Sequence, residues 1–208
     1  MSKSKEEIPN LERRVLNVES RVDSESRTVH GYAALYENTT SEMGWFDEEI
    51  AAGAFDGADT SDVRALFNHD PNWLLGRTKS GTLKLNIDEK GLSYEFDAPN
   101  TTAGNDLLEM LRRGDVSQSS FAFTIKKEAW IEGKGMKRPK RRILEIDRLY
   151  DVSPVTYPAY PDTTAAKRSF DAYHKDHEAG ESLQIKKEQA GLDDRLRSLL
   201  LSLKNYSR

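Results

Sequence analysis

Apolar residues recur at two periods along this chain, and the two periods separate strands from helices. In Thr82-Leu83-Lys84-Leu85-Asn86-Ile87 and again in Leu92-Ser93-Tyr94-Glu95-Phe96 every second residue is large and apolar. Asp88-Glu89-Lys90-Gly91 between them is turn-forming, so the pair predicts a hairpin. Val15, Leu16, Val18 and Val22 partly alternate across Arg13 to Val22, and Val29 to Tyr36 reads as a strand after the turn Asp23 to Ser26. The two predict a second hairpin, with Gly31 as a bulge or a close backbone approach. Residues 37–60 read as a loop anchored by Trp45, Phe46 and Ile50. A short strand, Val63 to Phe67, gives way to a turn at Asn68-His69-Asp70-Pro71, because proline disfavours helix at the residue before it. Further on, Phe121, Phe123 and Ile125 share one face of a strand. Ser120, Ala122 and Thr124 share the other, which carries only small groups and so leaves room for an approach to Ser120. Trp130 to Lys140 is a basic, glycine-containing hairpin loop, Arg142 to Ser153 one long strand or two, and Pro154 to Pro161 closes the core.

Helical spacing occurs in two places. Leu107, Leu108, Met110 and Leu111 form a stripe between a cap at Asn100-Thr101-Thr102 and a stop at Gly114. Leu192, Leu196, Leu199, Leu200 and Leu203 form another near the C-terminus. The pattern therefore divides the chain into an arm at residues 1–12, a main domain at 13–168, a charged linker at 169–190 that is poor in large apolar groups, and an amphipathic helix at 191–208.

Composition narrows the chemistry. The chain has 208 residues, a net charge of −4 and no cysteine. That balance gives no basic field for nucleic acid, and disulfides, thiol nucleophiles and cysteine-type zinc sites are excluded. No apolar run approaches the ~20 residues of a membrane span, and the polar N-terminus lacks the apolar core of a signal peptide. The expectation is a soluble protein of the cytoplasm that binds neither nucleic acid nor membrane.

A serine hydroxyl needs a neighbouring base to become a nucleophile, and an imidazole near its ordinary pKa of about 6.5 suits that task. Three serines stand close together, Ser117, Ser119 and Ser120, and period-two geometry sets Ser120 apart from the other two. Of the four histidines, His69 at a strand end is the best-placed base. His30 lies within a strand, and His174 and His177 fall in the linker. A carboxylate to orient the imidazole can come from Asp151, Glu145 or Asp147, while Asp70 suits a turn. Backbone amides at Tyr157 to Tyr160, or Arg141, Arg142 and Arg148, are the candidates for an oxyanion site.

Five pieces in order carry a resemblance: Arg64-Ala65-Leu66-Phe67-Asn68-His69-Asp70; Leu75-Gly76-Arg77; Gly91-Leu92; Ser117 through Phe123; and Leu149-Tyr150-Asp151-Val152-Ser153-Pro154-Val155 leading to Pro158-Ala159. Over about residues 13–168 the chain resembles the prohead maturation proteases of tailed bacteriophages. The resemblance implies an α+β fold, a mostly antiparallel β-barrel flanked by helices as in the herpesvirus assembly protease. It places the nucleophile at Ser120, directly before the Phe-small-Phe run, with Ser119 the fallback. His69 is the base, and Asp151 stands where the herpesvirus enzymes have a second histidine. The implied activity is a serine endopeptidase without metal or organic cofactor. Inside the immature prohead in the host cytoplasm it would cut the scaffolding segment of the major capsid protein, and itself. Self-association and docking of the leucine-striped tail are further expectations. Ala122 departs from the family's usual glycine and bears on how closely a substrate backbone approaches. The rival reading is a non-catalytic assembly protein that binds coat protein; an unrelated esterase is disfavoured by the lack of a Gly-x-Ser-x-Gly elbow.

Overall fold

The structure is a computed structural model that describes residues 8–16, 20–22, 26–39, 44–133, 135–157 and 165–177. Its first five strands are β1 (Glu12–Leu16), β2 (Arg21–Val22), β3 (Thr28–Leu35), β4 (Asp47–Ile50) and β5 (Arg64–Phe67). They are followed by β6 (Asp70–Arg77), β7 (Lys84–Ile87), β8 (Gly91–Asp97), the helix α1 (Thr102–Arg113), β9 (Gln118–Ile131) and β10 (Lys140–Val155). Residues 165–177 are helical. The chain divides by its contacts into Met1–Ala166 and Lys167–Arg208. The expected linker overlaps the helix at 169–177; its remainder and the leucine-striped tail lie outside the described residues.

The class is α+β. One sheet runs β1-β9-β10-β5-β6 with β4 also paired to β10, and the other runs β2-β3-β8-β7. Both end in unclosed edges, and no closed barrel is found among the described residues, so the strand pairing leaves the expected barrel and its herpesvirus-protease likeness unconfirmed. β10 organises the first sheet. It pairs antiparallel with β9 along its length, parallel with β4 near its start, and parallel with β5 at Asp151 and Val152.

The hairpin of β7 and β8 forms as the alternation predicts, with Lys84 opposite Glu95 and Ile87 opposite Leu92. The helix also forms between its predicted ends. Thr101 Oγ1 accepts from Gly104 N–H, and Gly114 ends the helix at φ 78°, a left-handed conformation that glycine adopts without strain. The first predicted hairpin is corrected. Arg21 and Val22 do pair with β3, but Glu12–Leu16 instead joins the other sheet, with Val15 opposite Ser120. Glu12, expected in the N-terminal arm, and Arg14 are both buried there, by a charged partner that periodicity does not show. Within the presumed loop 37–60, Asp47–Ile50 forms β4, whose acidic residues supply that partner. β6 begins at Asp70 and tolerates Pro71 because it is an edge strand.

Glu12, Arg14, Glu48 and Arg141 are all buried. Arg14 pairs with both Glu12 and Glu48, and Arg141 Nη1 lies 2.9 Å from Glu12 Oε2 and 3.1 Å from Glu48 Oε2. Glu128 accepts from Arg141 Nη2 at 2.5 Å. Each charge has opposite partners and hydrogen bonds, without which burial would cost several kcal/mol per ion. This lattice bolts β1 and β4 to β9 and β10. Beside it lies the apolar core, drawn from both sheets and α1: Val29, Phe96, Leu107, Phe121, Phe123, Leu149 and Val152 among others. Phe121 and Phe123 stack with centroids 4.6 Å apart. Burying one such ring stabilises by about 1.5–3 kcal/mol.

Candidate active site

His69 sits in a two-residue turn between β5 and β6. Phe67 pairs with Asp70, and the two residues between them, Asn68 and His69, have φ 54° and 58°. Two successive left-handed residues are what a tight hairpin of the primed kind requires, and asparagine is among the residues that accept it most readily. The turn aims the imidazole at the paired strands β9 and β10. There Ser153 lies opposite Ser120, and Asp151 opposite Ala122.

A bulge decides which side chains of β10 reach that face. The register jumps between Leu149, opposite Phe123, and Asp151, opposite Ala122, so Tyr150 is the extra residue. In strict alternation Leu149 and Asp151 would point the same way. With the bulge Leu149 and Val152 both enter the core, while Asp151 and Ser153 turn toward His69.

The three residues singled out in the sequence come together. His69 Nε2 is 2.6 Å from Ser120 Oγ, and His69 Nδ1 is 2.6 Å from Asp151 Oδ1. The side chains of His69 and Asp151 are 7% and 9% exposed. With Asp151 Oδ1 accepting from Nδ1–H, the ring takes the tautomer that leaves the Nε2 lone pair facing the Ser120 hydroxyl. Ser153, not anticipated from the sequence, donates to Asp151 Oδ1 at 2.8 Å. Its position two residues from Asp151 is the signal that was available. A second acceptor, the Arg14 carbonyl on β1, lies 2.9 Å from Ser120 Oγ. The single hydroxyl proton is thus shared between a base and a backbone oxygen.

The alternatives are placed elsewhere. Ser119 faces the opposite way, in a triangle of hydroxyls 2.7 Å from Tyr94 and 2.7 Å from Ser20. Burial pushes the Tyr94 phenol up, so it remains a hydrogen-bond donor and offers no base. Ser117 is exposed. Glu145 lies beside Lys126 and Lys127, Asp147 accepts from Thr124, and Asp70 caps its own turn through Asn72. His30 is on β3 in the other sheet, and His174 and His177 contact Tyr173 in the helix at 165–177. Of the proposed oxyanion groups, Arg141 belongs to the buried charge lattice, Arg142 pairs with Glu37, and Arg148 faces Asp59. Tyr157 is 80% exposed, and residues 158–160 lie outside the described residues. The face around Ser120 also differs from expectation. Ser120 and Ala122 are both fully buried, so β9 is covered on its small-residue face as well as its aromatic one.

A hydroxyl, an imidazole and a carboxylate joined in series are the equipment of nucleophilic acyl transfer. The chain belongs to the caudovirus prohead serine proteases: a model of that family matches residues 14–176, most of the chain and all three of these groups. No curated protein and no solved structure was found to match. Membership assigns the chain to capsid maturation in a phage prohead within the host cell. No helix among the described residues is long and apolar enough to cross a membrane.

Proposed function

We propose that this protein is a serine endopeptidase that cleaves the scaffolding segment of the phage major capsid protein, and itself, during prohead maturation. The observation that carries the reading is His69 bridging Ser120 and Asp151 at 2.6 Å on each side. Ser120 Oγ attacks the scissile carbonyl while His69 Nε2 takes its proton. The same proton then passes to the leaving amine as the acyl-enzyme forms. His69 next activates a water that releases the acyl group and restores the hydroxyl. Asp151 stabilises the transient imidazolium, and Ser153 holds the carboxyl group against rotation. The stretch at 170–190, charged and poor in large apolar groups, is the segment we assign to self-removal, since polar sequence of this kind is a preferred place for proteolytic nicking.

The test is to express the full chain with and without the capsid protein and to compare masses with those of Ser120→Ala. Fragments in the wild type alone support the endopeptidase. Intact masses in both, with capsid protein still bound, would favour the non-catalytic assembly reading.

A further inference from the structure

We propose that Asn68 is the positioning residue for His69, clamping the imidazole through the end of β10; this rests on the endopeptidase reading. His69 has no regular secondary structure of its own to hold it. It occupies the second place of a two-residue turn, and both turn residues sit in the left-handed region that side chains other than glycine adopt at some cost. β5 pairs with β10 only at Arg64 and Ala65, so the sheet ladder ends before the turn begins. Asn68 continues the attachment past that point. Its backbone N–H donates to the Pro154 carbonyl at 3.1 Å. Its side-chain oxygen accepts from the Thr156 N–H at 2.9 Å and from the Thr156 hydroxyl at 3.2 Å. The end of β10 and the residue just beyond it therefore carry both Asp151, which orients the ring, and the anchor of the turn that delivers it. The hydrogen bonds of Asn68 run to Pro154 and Thr156, away from the Ser120 hydroxyl. Asn68 fixes the distance from which His69 reaches Ser120, and a misplacement of about 1 Å at such a distance costs about 100-fold in rate.

Asn68→Gly separates this role from a structural one. Glycine adopts φ 54° without strain and keeps the backbone bond to Pro154, so the turn persists, but the two bonds from Thr156 are lost. The full-length Asn68→Gly, Asn68→Asp and wild-type proteins are compared on a peptide spanning a cleavage site. Proton NMR of the His69 Nδ1–H, the proton shared with Asp151, is recorded on the same samples. The expected result for Asn68→Gly is a kcat lower by about 10- to 100-fold with KM within about twofold, an unchanged Tm, and an Nδ1–H signal broadened by faster solvent exchange. Asn68→Asp retains the accepting oxygen and restores kcat to within a few-fold, with the NMR signal sharp. Wild-type kcat and a sharp signal in Asn68→Gly would overturn the proposal. Should the wild type cleave nothing, the endopeptidase reading fails, and the imidazole signal still decides whether Asn68 holds the ring.

Discussion

Ser119 and Ser120 are neighbours in sequence with different surroundings, and the difference is a matter of which sheet face each meets. Ser120 meets an imidazole; Ser119 meets two hydroxyls. Ser120→Ala is expected to remove cleavage by on the order of 10⁴-fold or more, with its Tm near that of the wild type. Ser119→Ala should keep cleavage and lose about 1–3 kcal/mol of stability, because Tyr94 and Ser20 each forfeit a buried partner. Chemical denaturation and a cleavage assay on both variants check the pair. Asp151→Asn leaves the shape intact but disturbs the tautomer of His69, and kcat is expected to fall by on the order of 10³- to 10⁴-fold. At this scale the sequence was informative to different degrees. Period two separates Ser120 from Ser119, and His69 stands alone at a strand end. Asp151 could not be told from Asp147 or Glu145 without the family resemblance, because the Tyr150 bulge that sets its direction has no sequence signature of its own.

Elements were legible where local periodicity and end signals agreed, as in the hairpin of β7 and β8 and in α1 between Thr101 and Gly114. They were obscure where burial depended on distant charges. β4 reads Asp-Glu-Glu-Ile, which no rule of alternation marks as buried, and β1 hides Glu12 and Arg14. Only pairing across the sheet makes sense of either. Removing one member of the lattice leaves the others buried and unmatched, so Glu48→Gln is expected to destabilise by roughly 3–5 kcal/mol, read from denaturant midpoints. A different constraint operates in α1. Alanine ordinarily favours a helix over glycine by about 1 kcal/mol. A Cβ at Gly104, however, would come within 2.1 Å of the Pro99 carbonyl oxygen. Gly104→Ala is therefore expected to lower Tm, opposite in sign to what helix propensity alone predicts.

For the molecule as a whole, the charge lattice sets a response to acid. Burial pushes the Glu12 carboxyl up, but Arg14 and Arg141 together outweigh it and hold the group below its ordinary value. Glu49 is likewise lowered, its burial outweighed by Lys140, Thr39 and Arg142. At the surface the Arg77 guanidinium holds Asp62 at about 2. Groups that release protons more readily when folded contribute stability in full above the ordinary carboxylate range of about 4 to 4.5. That contribution is lost as pH falls through their folded values. Tm is thus expected to decline on acidification below about pH 4.5, and to decline less steeply when Glu12 and Arg141 are replaced together by apolar residues of similar size. Thermal scans across pH 2–7 check both slopes.

The chain between Ile131 and Lys140 joins β9 to β10 but is not what keeps them side by side, since their pairing runs from Gln118 opposite Val155 to Ile131 opposite Lys140. A single peptide-bond break there should leave two fragments that stay associated. Ser120 would then be on one and Asp151 on the other, beside His69 of the first. On the endopeptidase reading, halves split at this connection and expressed separately are expected to cleave only once mixed.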